Sequence, residues 1–305
     1  VEKAETILVT GVSGFIASRL AMHLLSLGYD VIGVDFNRTK NTEFFLDAGG
    51  RFVESYVEDL TKDNFEFEDI KSIFHLAAIK RHNEDIPYEE IYEHNIRATE
   101  VVLNFSIEWK CKLVFTSSLY VYGEYDGISY ESDIPNPRTI YGMSKAISET
   151  YLRSMINIRG ANVGIARLYF IVGEENDDGV YQNVIHKFVG QALRGEPITV
   201  YGTGNAIINY FWIDDLIQAL IALSKRAESS LINLGNSNAH TINQIAEKIA
   251  RIIPTKISHT KPDWTESTVR HGDTTMSREL LSLNKETTLD EMIETIIQEA
   301  RSKLC

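Results

Sequence analysis

"TILVTGVSGFIASRLAMHLLSLG", residues 6–28, decides how the rest of the chain is read. Its first five residues, TILVT (6–10), are β-branched and apolar and predict a buried strand. FIASRLAMHLLSL (15–27) carries apolar residues at helical spacing and stops at Gly28, a helix-ending residue. Between them, TGVSGFIAS (10–18) places Gly11 and Gly14 where the chain must turn tightly, and Ala17 where a helix must pack close on a sheet. The N–H groups exposed at such a helix start favour a pyrophosphate. A GxxGxxA spacing is common by itself; its position between strand and helix gives it meaning.

The next strand, DVIGVD (30–35), ends at Asp35, 21 residues after Gly14. An acid there accepts hydrogen bonds from an adenosine ribose, so the unit reads as an NAD-binding fold. A carboxylate would repel a 2′-phosphate, which favours NAD over NADP; Arg38 nearby keeps NADP open.

Working outward, RFVESY (51–56), SIFHLAA (72–78), KLVFTSS (112–118) and VGIARLYFIV (163–172) read as further strands. Helices at 88–109 and 141–157 separate the later ones. This alternation predicts an α/β fold, a Rossmann-type doubly wound parallel sheet covered on both faces. From 173 the rhythm breaks into an acidic loop, GEENDDGVYQN (173–183), and irregular shorter elements. The expected organisation is an NAD-binding domain over 1–172, with 211–236 returning to it, and a smaller C-terminal substrate-binding lobe over 173–305.

A formal charge of −13 and a pI of about 5.1 argue against nucleic acid or an anionic membrane as partner. Cys111 and Cys305 form no CxxC pair, and the eight histidines show no metal spacing, so no metal is expected. Residues 1–5 show no apolar leader and no uncharged run reaches the roughly 18–20 residues that span a bilayer, so a soluble, cytoplasmic protein is expected. His75 reads as a packed strand-end residue, the Arg81–His82 and Arg270–His271 pairs as solvated or loop residues, and Asp214 and Asp215 as fixing a helix start.

IYGMSKAIS (140–148) sets Tyr141 and Lys145 one helical turn apart on one face. With 14 tyrosines in 305 residues such a pair arises easily by chance, and its surroundings decide what it means. TGVSGFIA (10–17), HLAAIK (75–80), FTSSLYVYG (115–123), YGMSKAISE (141–149), LRGEPITVYGTG (193–204) and FWIDDL (211–216) follow in order, with LDEMI (289–293) near the end. In these motifs nearly the whole chain resembles the extended short-chain dehydrogenases that include the nucleotide-sugar epimerases and dehydratases, in particular the UDP-glucose 4-epimerase-like members.

The resemblance implies that Tyr141 and Lys145 do acid–base work beside the nicotinamide of NAD. A free tyrosine is roughly one part per thousand ionised at pH 7, and an ammonium one turn away favours its phenolate. Ser118 is implied to hold the reacting oxygen, and Lys145 also the nicotinamide ribose. Further cofactor contacts are implied at Phe15, Ile16, Asp59, Leu60, Ala77, Ala78, Lys80, Asn95 and Tyr169, alongside Gly11, Gly14 and Asp35. Each has a plainer reading: Lys80 as a solvated lysine, Asn95 as a helix polar residue, Tyr169 as a strand aromatic. A homodimer through the helices near 88–109 and 141–157 is also implied.

The residues after Ser118 discriminate among reactions. Dehydratases of the family carry Asp–Glu there and decarboxylases keep a glutamate; this chain has Leu119 and Tyr120. Elimination is disfavoured, and C4 epimerisation of a nucleotide sugar through a 4-keto intermediate is expected. A nucleotide-ketosugar reductase using NAD(P), or a non-catalytic dinucleotide sensor, are the alternatives. Substrate contacts are implied at Ser118, Tyr141, Phe170, Asn183 and Arg270. Three departures bear on the substrate: Ile208 stands where epimerases carry a phosphate-binding arginine, Phe170 stands where they carry an asparagine, and a further family arginine near the C-terminal lobe aligns poorly, with Arg270 or Lys261 as candidate substitutes.

Overall fold

The computed structural model describes residues 4–65, 69–80, 87–124, 127–174, 183–261, 269–283 and 285–303. The Arg81–His82 pair, most of the acidic stretch 173–183 and Cys305 lie outside the described residues.

Strands β1 (Thr6–Thr10), β2 (Asp30–Asp35), β3 (Arg51–Glu54), β4 (Ile70–His75) and β5 (Lys112–Ser118) belong to one seven-stranded sheet. Its order is Ser230–Leu234, Val163–Leu168, β5, β4, β1, β2, β3. The β1–β2, β2–β3, β1–β4 and β4–β5 pairings are parallel. The chain runs outward from β1 to β3 and then crosses back to β4, so the strand order reverses between β1 and β4. That reversal is where an open α/β sheet offers a crevice to a ligand.

Strand β1 is buried at every position, and Leu8, Ile32, Ile73, Leu113, Phe115 and Leu152 meet in one core. Burying each such side chain contributes about 1.5–3 kcal/mol. Cys111 belongs to the same core.

The helix Ile140–Arg159 starts at Thr139, whose hydroxyl accepts the Gly142 N–H at 3.0 Å, and ends at Gly160 with φ of 65°. In contrast, α1 (Phe15–Ser26) begins at Gly14 without a side-chain cap.

Three local expectations are corrected. Strand β4 stops at His75, because the Thr10 hydroxyl accepts the Leu76 and Ala77 N–H groups, each at 3.2 Å, and pulls the chain out of the ladder. The run 163–172 is two strands, Val163–Leu168 in the large sheet and Phe170–Val172 paired with Tyr210–Trp212. Tyr169 makes the break: its N–H bonds Leu234 O at 3.0 Å and its hydroxyl meets Ser129 Oγ at 2.6 Å. The helix expected over 88–109 contains a π-helical segment, Tyr92–Arg97, between Tyr88–Ile91 and Ala98–Trp109.

The chain divides into two compact units: Val1–Gly123, Ile134–Arg167 and Ile217–Ile232 form the first, and Glu124–Asp133, Leu168–Leu216 and Asn233–Cys305 the second. Compared with the expected boundary at 172, the division falls at Arg167, and the returning segment is shorter than 211–236. Glu124–Asp133 joins the second unit because Ile128–Ser129 pairs with Val269–Gly272. Among the described residues, no helix is long and apolar enough to cross a membrane.

Candidate active site

Where the sheet order reverses, the first unit holds a cleft lined by Gly11, Gly14, Asp35, Tyr56, Ala77, Ala78 and His94, among others. Gly11 has φ of +76°, and a Cβ there would lie 2.8 Å from the Ala77 nitrogen. Only glycine lets these two turns approach so closely. Asp35 accepts the N–H groups of Ser13 at 3.1 Å and Asn37 at 3.3 Å. Burial pushes its pKa up, while these hydrogen bonds work in the opposite direction. Arg38, the residue that kept NADP open, bonds Glu54 at 3.0 Å and lies 5.2 Å over the Phe52 ring. Its charge is already met. The uncapped start of α1, the glycine turn and the Asp35 carboxylate therefore fit an adenine dinucleotide without a 2′-phosphate.

An aromatic stack on the cleft wall was not anticipated. Tyr56 lies between Phe36, 5.0 Å away and nearly parallel, and His94, 4.8 Å away. His94 Nδ1 in turn contacts the Glu58 carboxylate. The only sequence signal was an aromatic residue directly after Asp35 and another just after β3.

Of the other implied cofactor residues, Ala77 and Ala78 line the cleft, and Phe15 and Ile16 open α1 behind Gly14. The wall near Asp59 and Leu60 is made instead by Val57 and Glu58; Asp59 closes a 3₁₀ turn and Leu60 is buried in the core. Asn95 is buried and acts as a strut. It accepts the Ile79 N–H at 2.8 Å and donates to Ile79 O at 3.1 Å and Ser144 Oγ at 3.0 Å. Lys80 extends over the Tyr120 ring, 5.8 Å from its centre. Tyr169 belongs to the second unit, its hydroxyl engaged by Ser129.

Ser118 ends β5, and its hydroxyl accepts the Tyr120 N–H at 3.4 Å. Tyr141 and Lys145 share one face of the helix Ile140–Arg159. The Lys145 ammonium, buried, stands 4.6 Å from the Phe115 ring centre and 5.9 Å from that of Tyr141. Burial pushes its pKa down to about 7; the Glu149 charge opposes this and Lys80 adds to it. Tyr120 packs edge-on against Tyr141, ring centres 6.1 Å apart. His75 is packed as the sequence suggested, Nδ1 2.7 Å from Thr10 Oγ1 and Nε2 3.2 Å from Thr99 Oγ1. Burial, and secondarily Lys145, lower its pKa to about 3 and keep it neutral.

In the second unit, Asn183 caps the helix Val184–Leu193, accepting the Ile185 N–H at 2.9 Å. Arg270 lies 5.9 Å from the Phe170 ring centre, whereas Lys261 is exposed at the end of a described segment. Asp214 and Asp215 stand in the first turn of Ile213–Ser224, and Asp215 also accepts the Thr287 N–H at 2.7 Å.

Residues 7–235 match the model of the NAD dependent epimerase/dehydratase family. A UDP-N-acetyl-alpha-D-glucosaminuronate decarboxylase of Bacillus cytotoxicus is 28% identical over 255 residues, 80% of this chain and 79% of that protein. A putative UDP-glucose 4-epimerase of Methanocaldococcus jannaschii is 29% identical over 251 residues, 80% of this chain and 81% of that one. The crystal structure of UDP-glucose 4-epimerase from Thermotoga maritima with UDP-glucose superimposes with a TM-score of 0.86 at 26% identity, covering 98% of this chain and all of that one. The glycine cradle, the acid at the end of β2 and a family match over more than half its length agree: the chain belongs to the NAD dependent epimerase/dehydratase family, with NAD as its cofactor.

Proposed function

We propose that this protein is an NAD-dependent 4-epimerase of a nucleotide-activated sugar. The observation that carries the reading is the pair after Ser118. Leu119 is buried and Tyr120 is packed on Tyr141, so neither supplies the carboxylate that the resemblance implies for elimination or decarboxylation. When bound, NAD supplies reversible acceptance of a hydride from the sugar carbon. The chain's part is to hold and to move protons. Ser118 orients the reacting oxygen, Tyr141 takes the C4 hydroxyl proton and returns it, and Lys145 stabilises the phenolate between the two events. Arg270 is the residue for the substrate diphosphate, since Ile208 offers no charge.

The relatives include both an epimerase and a decarboxylase, so the test must separate the outcomes. Purified protein is incubated with UDP-glucose, UDP-galactose and UDP-glucuronate, and products and bound cofactor are followed. Epimerisation interconverts a sugar pair with no net change in NAD. Stoichiometric cofactor consumption assigns a ketosugar reductase instead, and carbon dioxide release a decarboxylase. No thermal stabilisation by any nucleotide sugar would leave a dinucleotide sensor.

The proposed assembly is a homodimer through the helices spanning 88–109 and Ile140–Arg159. They leave Tyr88, Tyr92, Ile147 and Ile158 exposed. Light scattering coupled to gel filtration checks it, and a monomer at micromolar concentration rejects it.

A further inference from the structure

Two turns beyond Tyr141 on the same helix, Glu149 is buried and fully engaged. It accepts from Arg167 Nη2 at 2.6 Å and from Arg167 Nε at 3.0 and 3.2 Å, and from Ser117 Oγ at 2.5 Å. Ser117 directly precedes Ser118 on β5. Arg167 lies in the neighbouring strand Val163–Leu168, one residue before its end, and its guanidinium lies 4.6 Å over the Tyr122 ring. Burial works against the charge on Arg167, but Glu149 and the Tyr122 hydroxyl more than offset it and raise its pKa. One carboxylate thus ties together the helix bearing Tyr141 and Lys145, the strand bearing Ser118, and the next strand of the sheet.

A buried ion pair is seldom kept for stability alone, because desolvation offsets much of the attraction. Its place here suggests a second task. Lys145 lies one helical turn from Glu149, close enough for the carboxylate to favour the ammonium. The other groups around Lys145 cannot replace it. Lys80, beyond β4, is itself positive, His75 on β4 is neutral, and β5 contributes the uncharged Phe115 ring. The 3₁₀ turn Leu119–Val121 brings Tyr120, and the helix's own first turn brings Tyr141. From the helical segment 92–97, Asn95 reaches Ser144; Glu100, in the following helix, acts on Tyr151.

We propose that Glu149 is a positioning residue for the acid–base pair: clamped by Arg167 and Ser117, it locks the Tyr141–Lys145 helix to the Ser118 strand and keeps the proton on Lys145. The inference rests on the roles given above to Tyr141 and Lys145, and not on which sugar reaction follows.

The test needs no sugar. NADH affinity is followed by fluorescence across pH 5.5–9.5 for the wild type, with Lys145→Met defining the pH dependence that does not come from Lys145. Binding weakens as Lys145 loses its proton. Glu149→Gln should move that weakening to lower pH by about one unit, and Arg167→Met, which leaves the carboxylate uncompensated, should move it to higher pH. If the single variants do not fold, Glu149→Gln/Arg167→Met carries the test, having no unpaired buried charge; its weakening should fall below the wild-type pH. Folded variants that bind NADH less tightly at the unchanged pH would show a purely architectural role and overturn the proposal. So would shifts of the same sign in both single variants. A wild type with no Lys145-dependent limb removes the premise that Lys145 meets the cofactor, while the sugar assay tests the epimerase reading separately.

Discussion

Arg270 stands opposite Ile208 in the parallel pairing of strands Ile207–Ile208 and Val269–Gly272, with its guanidinium over the Phe170 ring. Register partners in neighbouring strands project to the same face of a sheet. The proposed diphosphate contact therefore falls to Arg270, at the same level as the uncharged Ile208. Arg270→Ala is expected to weaken nucleotide-sugar binding by about 10–100-fold, the range of a lost charged hydrogen bond. NAD affinity should be unchanged. Calorimetry with UDP-glucose and with NAD separates the two effects, and equal losses for both ligands count against the assignment.

Tyr141→Phe removes the phenol and leaves the ring packed on Tyr120. A positioned acid–base group contributes about 10²–10⁴-fold, so kcat should fall by at least two orders of magnitude. The variant should still retain NAD and melt within a few degrees of the wild type. Undiminished turnover would remove the central residue of the proposed chemistry.

Gly11→Ala places a methyl group 2.8 Å from the Ala77 nitrogen at a φ of +76°. The expected cost is about 1–3 kcal/mol of stability, with loss of measurable NAD binding as the cradle opens. Thermal melts with and without NAD should show the cofactor-dependent rise in Tm only for the wild type.

Asp35 and Arg38 are expected to govern the choice of dinucleotide together. Asp35→Ala should weaken NAD binding and narrow its advantage over NADP. Adding Glu54→Gln, which releases Arg38 from its 3.0 Å partner, should narrow it further. Dissociation constants for both dinucleotides in the two variants check this order. A double variant no better for NADP than the single one would show that Arg38 does not reach the 2′ position.

His75 makes stability sensitive to acid. Its pKa is near 3 in the folded protein, against 6.5 as the ordinary value, so the unfolded chain binds the extra proton first. Its contribution is complete above pH 6.5 and is lost as pH falls from there toward 3, at a slope of up to about 1.4 kcal/mol per pH unit. Denaturant titrations of the wild type and His75→Gln at pH 7, 6 and 5 should converge as the pH falls. Parallel curves would assign acid lability to other groups.

Much of the first unit was open to inspection in the sequence because its signals are local. A strand, a glycine turn and a helix follow one another within 28 residues, and Tyr141 and Lys145 are one turn apart whatever surrounds them. KLVFTSS matched β5 residue for residue, since a strand buried at every position shows as an unbroken β-rich run. The irregular second unit was less legible. Its two-residue strands, Ile128–Ser129, Ile207–Ile208 and His240–Thr241, carry no periodicity and exist only because a partner strand pairs with them.

The amino-acid order alone determined the α/β fold, the dinucleotide cradle and the candidate acid–base pair, because each depends on neighbours a few positions apart. Tertiary structure decided what joins distant positions: Glu149 with Arg167 and Ser117, Arg270 with Ile208, and Tyr56 between Phe36 and His94. It also decided that Arg38 is spent on Glu54 and that Asn95 supports Ile79. Charge pairing and close packing act through space, and folding alone brings such residues within range.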